Sequence, residues 1–208
     1  MMSFEELLAF DCDCPEYPAV CGLDEAGRGP LAGPVFAACA LLKPGAVIPG
    51  LNDSKKLSEK RREQIFEQLL TGELAWYGVG AATPAEIDQR NILQATFLAM
   101  RRAYAALLAT VDTPPSLALV DGNLDPKLPV AVRTVVKGDG KSAAIAAASV
   151  LAKVSRDHYM LQLHQSYPQY GFDRHKGYPT AGHYAAIAQY GISPVHRLSF
   201  LKKLTGER

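Results

Sequence analysis

The 208-residue sequence predicts a mixed α/β fold, one β-sheet covered by helices and built as a single domain. Three observations carry this expectation. Two apolar runs joined by a Gly-rich turn read as a hairpin, and the later apolar runs alternate with stretches of helical periodicity. A hydrophobic content of 48% is enough for one sizeable core. No repeat, low-complexity tract or composition break marks a linker.

In chain order, "AVCGLD" (19–24) and "VFAACALL" (35–42) form the hairpin. "SEKRREQIFEQLLTG" follows as a helix, capped by Ser58, apolar along Ile65, Leu69 and Leu70, and stopped by Gly72. "LAWYGVGAA" (74–82) is a third strand. "TPAE" (83–86) is a capping box with Pro84 at the first helical position, opening a short helix before the longer "NILQATFLAMRRAYAALLA" (91–109). "SLALVD" (116–121) and "VAVRTVVK" (130–137) are two more strands. The Ala-rich "KSAAIAAASVLAKVSRDHYMLQLH" (141–164) is a helix small-sided enough to pack closely on a sheet. "AGHYAAIAQYG" is the last helix and ends at Gly191.

The net charge of +1 conceals a division. Residues 1–126 hold 10 Lys and Arg against 17 Asp and Glu, whereas residues 127–208 hold 12 against 4 and all five histidines. Such asymmetry suits a C-terminal part that faces a polyanion, although a basic solvated surface has the same composition. No apolar run approaches the roughly 18 residues of a membrane span. The N-terminal "MMSFEELLAFDCDC" lacks the basic-then-apolar order of a secretory signal, so a cytoplasmic protein is expected. Cys12, Cys14, Cys21 and Cys39 have neither paired C-x-x-C knuckles nor a nearby histidine, and read as reduced structural thiols rather than zinc ligands.

Carboxylates at strand ends are the main chemical theme. Asp24 and Glu25 close the first strand, Asp121 closes "LALV", and Asp139 sits in the "KGDG" turn after "VAVRTVVK". If these strands are neighbours, four carboxylates converge at one sheet edge. Crowded oxygen ligands without histidine or cysteine suit a hard divalent ion, Mg²⁺ or Mn²⁺. A single strand-end carboxylate is more often a solvated turn residue, and the glycines shift the balance. In "DEAGRGPLAG", Gly27 and Gly29 permit positive φ and close backbone approach, successive amides form an anion-binding concavity, and Arg28 adds a planar cation. A metal cluster beside a phosphate cradle is the layout of phosphoryl-transfer chemistry.

Further phosphate contacts are expected from Lys55 and Lys56 in "NDSKKL", with Asn52 and Ser54, although the same residues could cap the following helix. "VVKGDGKSA" invites a nucleotide-binding P-loop reading, but Val135 stands where that motif needs its first glycine. Lys141, Ser142 and the helix start could still hold a single phosphate. "YPQYGFDRHKGYPTAGHY" (167–184) interleaves rings with Arg174, His175, Lys176 and His183, a composition suited to stacking on sugars or bases and equally to tyrosines packed under the last helix. In "KVSRD", Arg156 and Asp157 form a solvent pair, or Asp157 supports the metal cluster.

Taken together, "GLDEAGRGPLAGPV", "LNDSKKLSEKRRE", "NILQATFLAM", "LVDGN", "VVKGDGKSAAIAAASVLAKVSRD" and "PQYGFDRHKGYPTAGH" resemble the bacterial ribonuclease HII family over residues 19 to about 200. The resemblance implies a ribonuclease H-like mixed β-sheet flanked by helices, with a C-terminal helical, substrate-binding extension over about 165–208. Residues 1–17 form an N-terminal extension outside the matching region. It maps the family's metal-binding catalytic carboxylates onto Asp24, Glu25, Asp121 and Asp139. It maps the turn that cradles an embedded ribonucleotide onto Gly27, Arg28 and Gly29, and the 2′-OH-sensing tyrosine onto Tyr178. The related HIII type carries a different residue at the position of Arg28. Pro179 departs from relatives that have glycine there.

The implied substrates are RNA–DNA hybrids and duplex DNA with embedded ribonucleotides, cut on the 5′ side of the ribonucleotide to leave 3′-OH and 5′-phosphate ends. The implied mechanism is two-metal hydrolysis with Mn²⁺ or Mg²⁺, in which Asp24 bridges both ions, Glu25 and Asp121 complete them and Asp139 holds the nucleophile-side ion. A monomer is expected. The rival reading is a nucleic-acid binding module with an acidic patch and no activity.

Overall fold

The computed structural model describes residues 2–205. The predicted hairpin is present: β1 (Val20–Ala26) and β2 (Val35–Leu42) pair antiparallel, with Asp24 opposite Ala38. β3 (Ala75–Ala82) pairs antiparallel with the outer side of β2. β4 (Leu117–Asp121) lies parallel to β1, and β5 (Ala131–Val135) lies parallel to β4. The sheet order is β3-β2-β1-β4-β5, so β1 is central and its C-terminal end neighbours that of β4.

β2 is apolar throughout because helices cover both of its faces. Ala38 and Ala40 face a core built with α1 (Phe4–Cys12), α2 (Glu59–Leu70) and α5 (Ala143–Ser166). Val35, Ala37, Cys39 and Leu41 face the opposite core, closed by α3 (Pro84–Arg90) and α4 (Ile92–Leu108). The N-caps Ser58 and Thr83 and the Thr83–Glu86 capping box form as the sequence predicts. Among the described residues, no helix is long and apolar enough to cross a membrane.

Small residues set the layer spacing. A Cβ at Gly22 would stand 2.2 Å from the backbone carbon of Ala144 and the nitrogen of Ile145. The Ala-rich start of α5 therefore lies directly on β1, as its composition predicts. Gly22→Ala is expected to push α5 off the sheet at a cost of about 1–3 kcal/mol. A thermal melt checks this, and an unchanged midpoint would contradict the close approach.

Among the described residues, three α-helices lie outside the predicted set. Residues 4–12, without an assigned role in the sequence, form α1, opened by a Ser3–Glu6 capping box. Its Asp11 accepts a hydrogen bond from the Ala144 amide at the start of α5, 2.9 Å, and burial pushes that carboxyl up to about 6. The last helix is not 181–191 but α8 (Leu198–Thr205), which follows α7 (Ala181–Tyr190) after a short turn. Leu201 explains it: the side chain is buried in a small core with Leu31, Met160, Tyr170 and Phe172. Between α5 and α7 the chain makes a one-turn helix, α6 (Phe172–His175).

Candidate active site

Because β1 and β4 are parallel neighbours, Asp24 and Asp121 emerge at one sheet edge. A 3₁₀ turn at Gly138–Gly140 brings Asp139 back to the same edge after β5. One oxygen from each of Asp24, Asp121 and Asp139 lies within 4.8 Å of the others. The Gly138 amide donates to Asp121 Oδ1 at 2.7 Å, and the Glu25 amide donates to Asp24 Oδ1 at 2.7 Å. Both bonds aim the carboxylates before any ligand arrives. Glu25 stands beside this trio rather than within it, and its Oε1 is 3.4 Å from Arg28 Nη1.

The cluster is costly without a cation. Burial, then the charges of Glu25 and Asp121, holds the Asp24 carboxyl well above the usual range. Burial raises Glu25 against the opposing pull of Arg28, and burial followed by Asp53 and Asp121 raises Asp139. Lys55 is drawn toward this field, with Nζ 3.8 Å from Asp139 Oδ2. Partial burial lowers its pKa, but Asp24, Asp139, Asp53 and Asp121 together raise it overall. Convergent, oxygen-only and electrostatically frustrated donors fit a hard divalent ion.

Next to the carboxylates, Glu25 to Gly29 form one wall of a cleft of about 300 Å³, with Ser54, Lys55, Ser149, Lys153 and Tyr178 opposite. Gly27 has φ +92° and no room for a side chain, since a Cβ would stand 2.0 Å from Arg156 Nε. Gly29 is not in that conformation; the position of its missing Cβ lies 3.7 Å from Tyr178 Cε1. Its bareness opens the cleft toward the tyrosine ring. Tyr178 is exposed, and the Thr180 amide donates to its carbonyl at 2.9 Å, a tight turn that Pro179 accommodates.

The other predicted contact residues divide. Lys55 and Lys56 are exposed beside the cluster, with Lys56 Nζ 3.8 Å from Asp53. Lys141 is exposed and donates to the Val136 carbonyl at 2.9 Å. Ser142 is fully buried and caps α5 by accepting from the Ile145 amide. His175 is held by Tyr170 O and Gly177 N through its two ring nitrogens, and Lys176 Nζ donates to the Asp173 carbonyl. Asn52 and Ser54 are buried, Ser54 Oγ lying 2.7 Å from Ser149 Oγ.

Arg156 does not form a solvent pair with Asp157, which instead takes Lys153 at 2.7 Å. It is buried and donates to the carbonyls of Pro34, Lys176 and Ala32. Its spacing with Ser149, Ala152 and Met160 on the buried face of α5 was a usable signal. Asp53, whose charge raises the Asp139 carboxyl, sits in a motif that stands out for its cations. Arg197, buried under the Gly27 turn, lies in an irregular segment without periodicity. A larger cavity of about 510 Å³ lies around Trp76 and the N-terminal segment and contains none of these residues.

The model of the family described as Ribonuclease HII matches residues 21–203. The chain is 61% identical to a Ribonuclease HII of Dechloromonas aromatica over 181 residues, covering 87% of this chain and 90% of that protein. The crystal structure of the ribonuclease H2 from Pyrococcus horikoshii superimposes with TM-score 0.68 at 32% identity, over 87% of this chain and 93% of that one. Bst-RNase HIII, in a structure described as a complex with Mn²⁺, shares the fold with TM-score 0.63 at 18% identity, over 82% of this chain and 70% of that one. A match of this length around converging carboxylates means that the chain belongs to the ribonuclease HII family of metal-dependent endonucleases that cleave the RNA strand of RNA–DNA hybrids.

Proposed function

We propose that the chain also nicks duplex DNA on the 5′ side of a single embedded ribonucleotide, leaving 3′-OH and 5′-phosphate ends. The observation that carries this reading is the cleft in which bare Gly29 faces Tyr178 beside the carboxylate trio. Only the 2′-OH distinguishes RNA from DNA at one nucleotide, so a discriminating site needs a close-fitting wall with a donor or acceptor there. Tyr178 and the Gly27–Arg28–Gly29 turn supply that wall.

Asp24, Asp121 and Asp139, with Glu25 adjoining, would hold Mn²⁺ or Mg²⁺; the complex described for the HIII relative makes Mn²⁺ the first ion to try. Two divalent ions held there would supply an activated water and stabilise the leaving oxygen. The chain's own residues do the rest. Asp24 and Asp121 keep their carboxylates aimed through amide hydrogen bonds. Lys55 and Arg28 bring positive charge to either side of the scissile phosphate, and Lys56 and Lys141 meet flanking phosphates, which makes binding strongly salt-dependent. A single chain supplies the carboxylates and both cleft walls, so this reading needs no second copy.

A nicking assay on duplex DNA with one ribonucleotide tests the reading. Cleavage 5′ of the ribonucleotide is expected with Mn²⁺ or Mg²⁺ and none with EDTA. Efficient cutting of long hybrids with none at the single ribonucleotide would overturn it.

A further inference from the structure

The segment Ser193–Arg197, between α7 and α8, carries no motif used so far. It is nevertheless bonded to both walls of the cleft. Its backbone pairs with the chain leaving the Gly-Arg-Gly turn: the Gly33 amide donates to Val195 O and the Arg197 amide to Leu31 O, each 2.8 Å. Arg197 is fully buried, and its guanidinium donates to three carbonyls: Gly27 at 2.7 Å, Arg28 at 3.0 Å and Gly33 at 2.9 Å. With those carbonyls drawn inward, the turn is fixed from beneath. A planar fork with five N–H donors suits this task, and an ammonium cannot reproduce it.

The neighbouring His196 reaches the opposite wall. It is 2% exposed, and its Nε2 lies 3.1 Å from Nε2 of His183, which is fully buried. His183 Nδ1 lies 3.0 Å from the Tyr178 carbonyl. The proton positions follow from one irreversible donor. The Ser193 amide points at His196 Nδ1 at 3.1 Å and can only donate, so that nitrogen is bare. His196 therefore carries its proton on Nε2 and donates it to His183 Nε2. His183 in turn keeps its proton on Nδ1 and donates to the Tyr178 carbonyl. Either ring protonated would place two N–H groups face to face. Burial, then the neighbouring ring, lowers His196 to about 4, and burial also lowers His183, which keeps both neutral.

We propose that His196 and Arg197 are positioning residues for ribonucleotide discrimination, one buried dipeptide that sets the Gly27–Arg28 turn and, through His183, Tyr178 at a fixed separation. The inference rests on reading that cleft as the site of the ribose 2′-OH. A displacement of either wall by about 1 Å is enough to degrade such a contact while leaving the carboxylates in place.

The test compares kcat/KM on duplex DNA containing one ribonucleotide with kcat/KM on a long hybrid. His196→Asn keeps a partner for the Ser193 amide but cannot reach His183, whereas His196→Gln extends an amide nitrogen toward the old Nε2 position. His196→Asn is expected to lower the ratio about tenfold, and His196→Gln to restore it to within about threefold. Arg197→Lys is expected to behave like His196→Asn. Tyr178→Ala is the control for the cleft. If it lowers the ratio while His196→Asn and Arg197→Lys leave it unchanged, the positioning role is wrong and the cleft reading stands. If Tyr178→Ala leaves the ratio unchanged, the cleft reading falls and the inference with it. A second measurement needs no variant: nitrogen-15 NMR of the native protein at neutral pH should find Nε2–H on His196 and Nδ1–H on His183. The opposite tautomers would overturn the relay even if the substituted chains failed to fold.

Discussion

Asp24→Asn is expected to abolish metal-dependent cleavage, on the order of 10³-fold or more, while raising the melting temperature of the metal-free protein. The two effects have one cause. Asp24 is buried beside Glu25 and Asp121, so its ionised form is disfavoured in the fold. Loss of ion-mediated charge stabilisation at the transition state accounts for several kcal/mol, and each ~1.4 kcal/mol is tenfold in rate. An amide of the same shape still accepts from the Glu25 amide and relieves the repulsion. The pH dependence follows from the raised pKa. The stabilising contribution of the neutral carboxyl is complete below the unfolded value of about 4 and disappears as pH rises through the folded value. The metal-free native protein should therefore lose stability as pH rises from about 4, and Asp24→Asn should flatten that slope. Mn²⁺ should raise the melting temperature of the native protein at neutral pH by mass action and leave the variant unmoved. A variant that still turns over with Mn²⁺, or one that is less stable without metal at neutral pH, contradicts this account.

The second large effect is on stability. Arg156→Met should lower the melting temperature by roughly 10 °C. Arg156 is 1% exposed and satisfies the carbonyls of Pro34, Lys176 and Ala32. Methionine recovers the desolvation cost of the buried cation but leaves three inward carbonyls without that donor. At about 1–3 kcal/mol per orphaned group, the net loss is about 3–5 kcal/mol, and each kcal/mol shifts the midpoint of a chain this size by ~2–4 °C. Because Lys176 leads into Tyr178 and Pro34 closes the Gly-Arg-Gly segment, substrate discrimination should fall in the same variant. A midpoint within about 2 °C of the native one would mean that the carbonyls find other donors.

The strands, the long helices and their caps were legible because local patterns specify them. The apolar runs that became β1, β2 and β3 alternate with capped amphipathic stretches, and Ser58 and Thr83 each sit where an orphaned helix amide needs an acceptor. The carboxylates were legible as strand-end residues, and parallel pairing of β1 with β4 brought Asp24 to Asp121. α8 was missed because only contact with Leu31 and Phe172 makes Leu201 a core residue. Arg156 departs from the expected solvent pair because a charged side chain on a helix is normally solvated, and although its spacing puts it on the buried face, no local pattern shows the three carbonyls it meets.

Of the feature that matters most, the sequence by itself determined the chemistry: three acidic side chains at strand ends and a fourth in a turn, a turn stripped by glycines, and a cation and a tyrosine at set places in the chain. These are properties of residue type and short-range spacing. Only the tertiary structure decided which groups face one another. It brought Asp53 to Asp139, Asp11 to the Ala144 amide, and ran Arg197 beneath Gly27 across 170 positions of chain. The physical reason is that a hydrogen bond or charge contact between distant segments is formed by packing, and packing depends on the whole core rather than on the neighbours of any one residue.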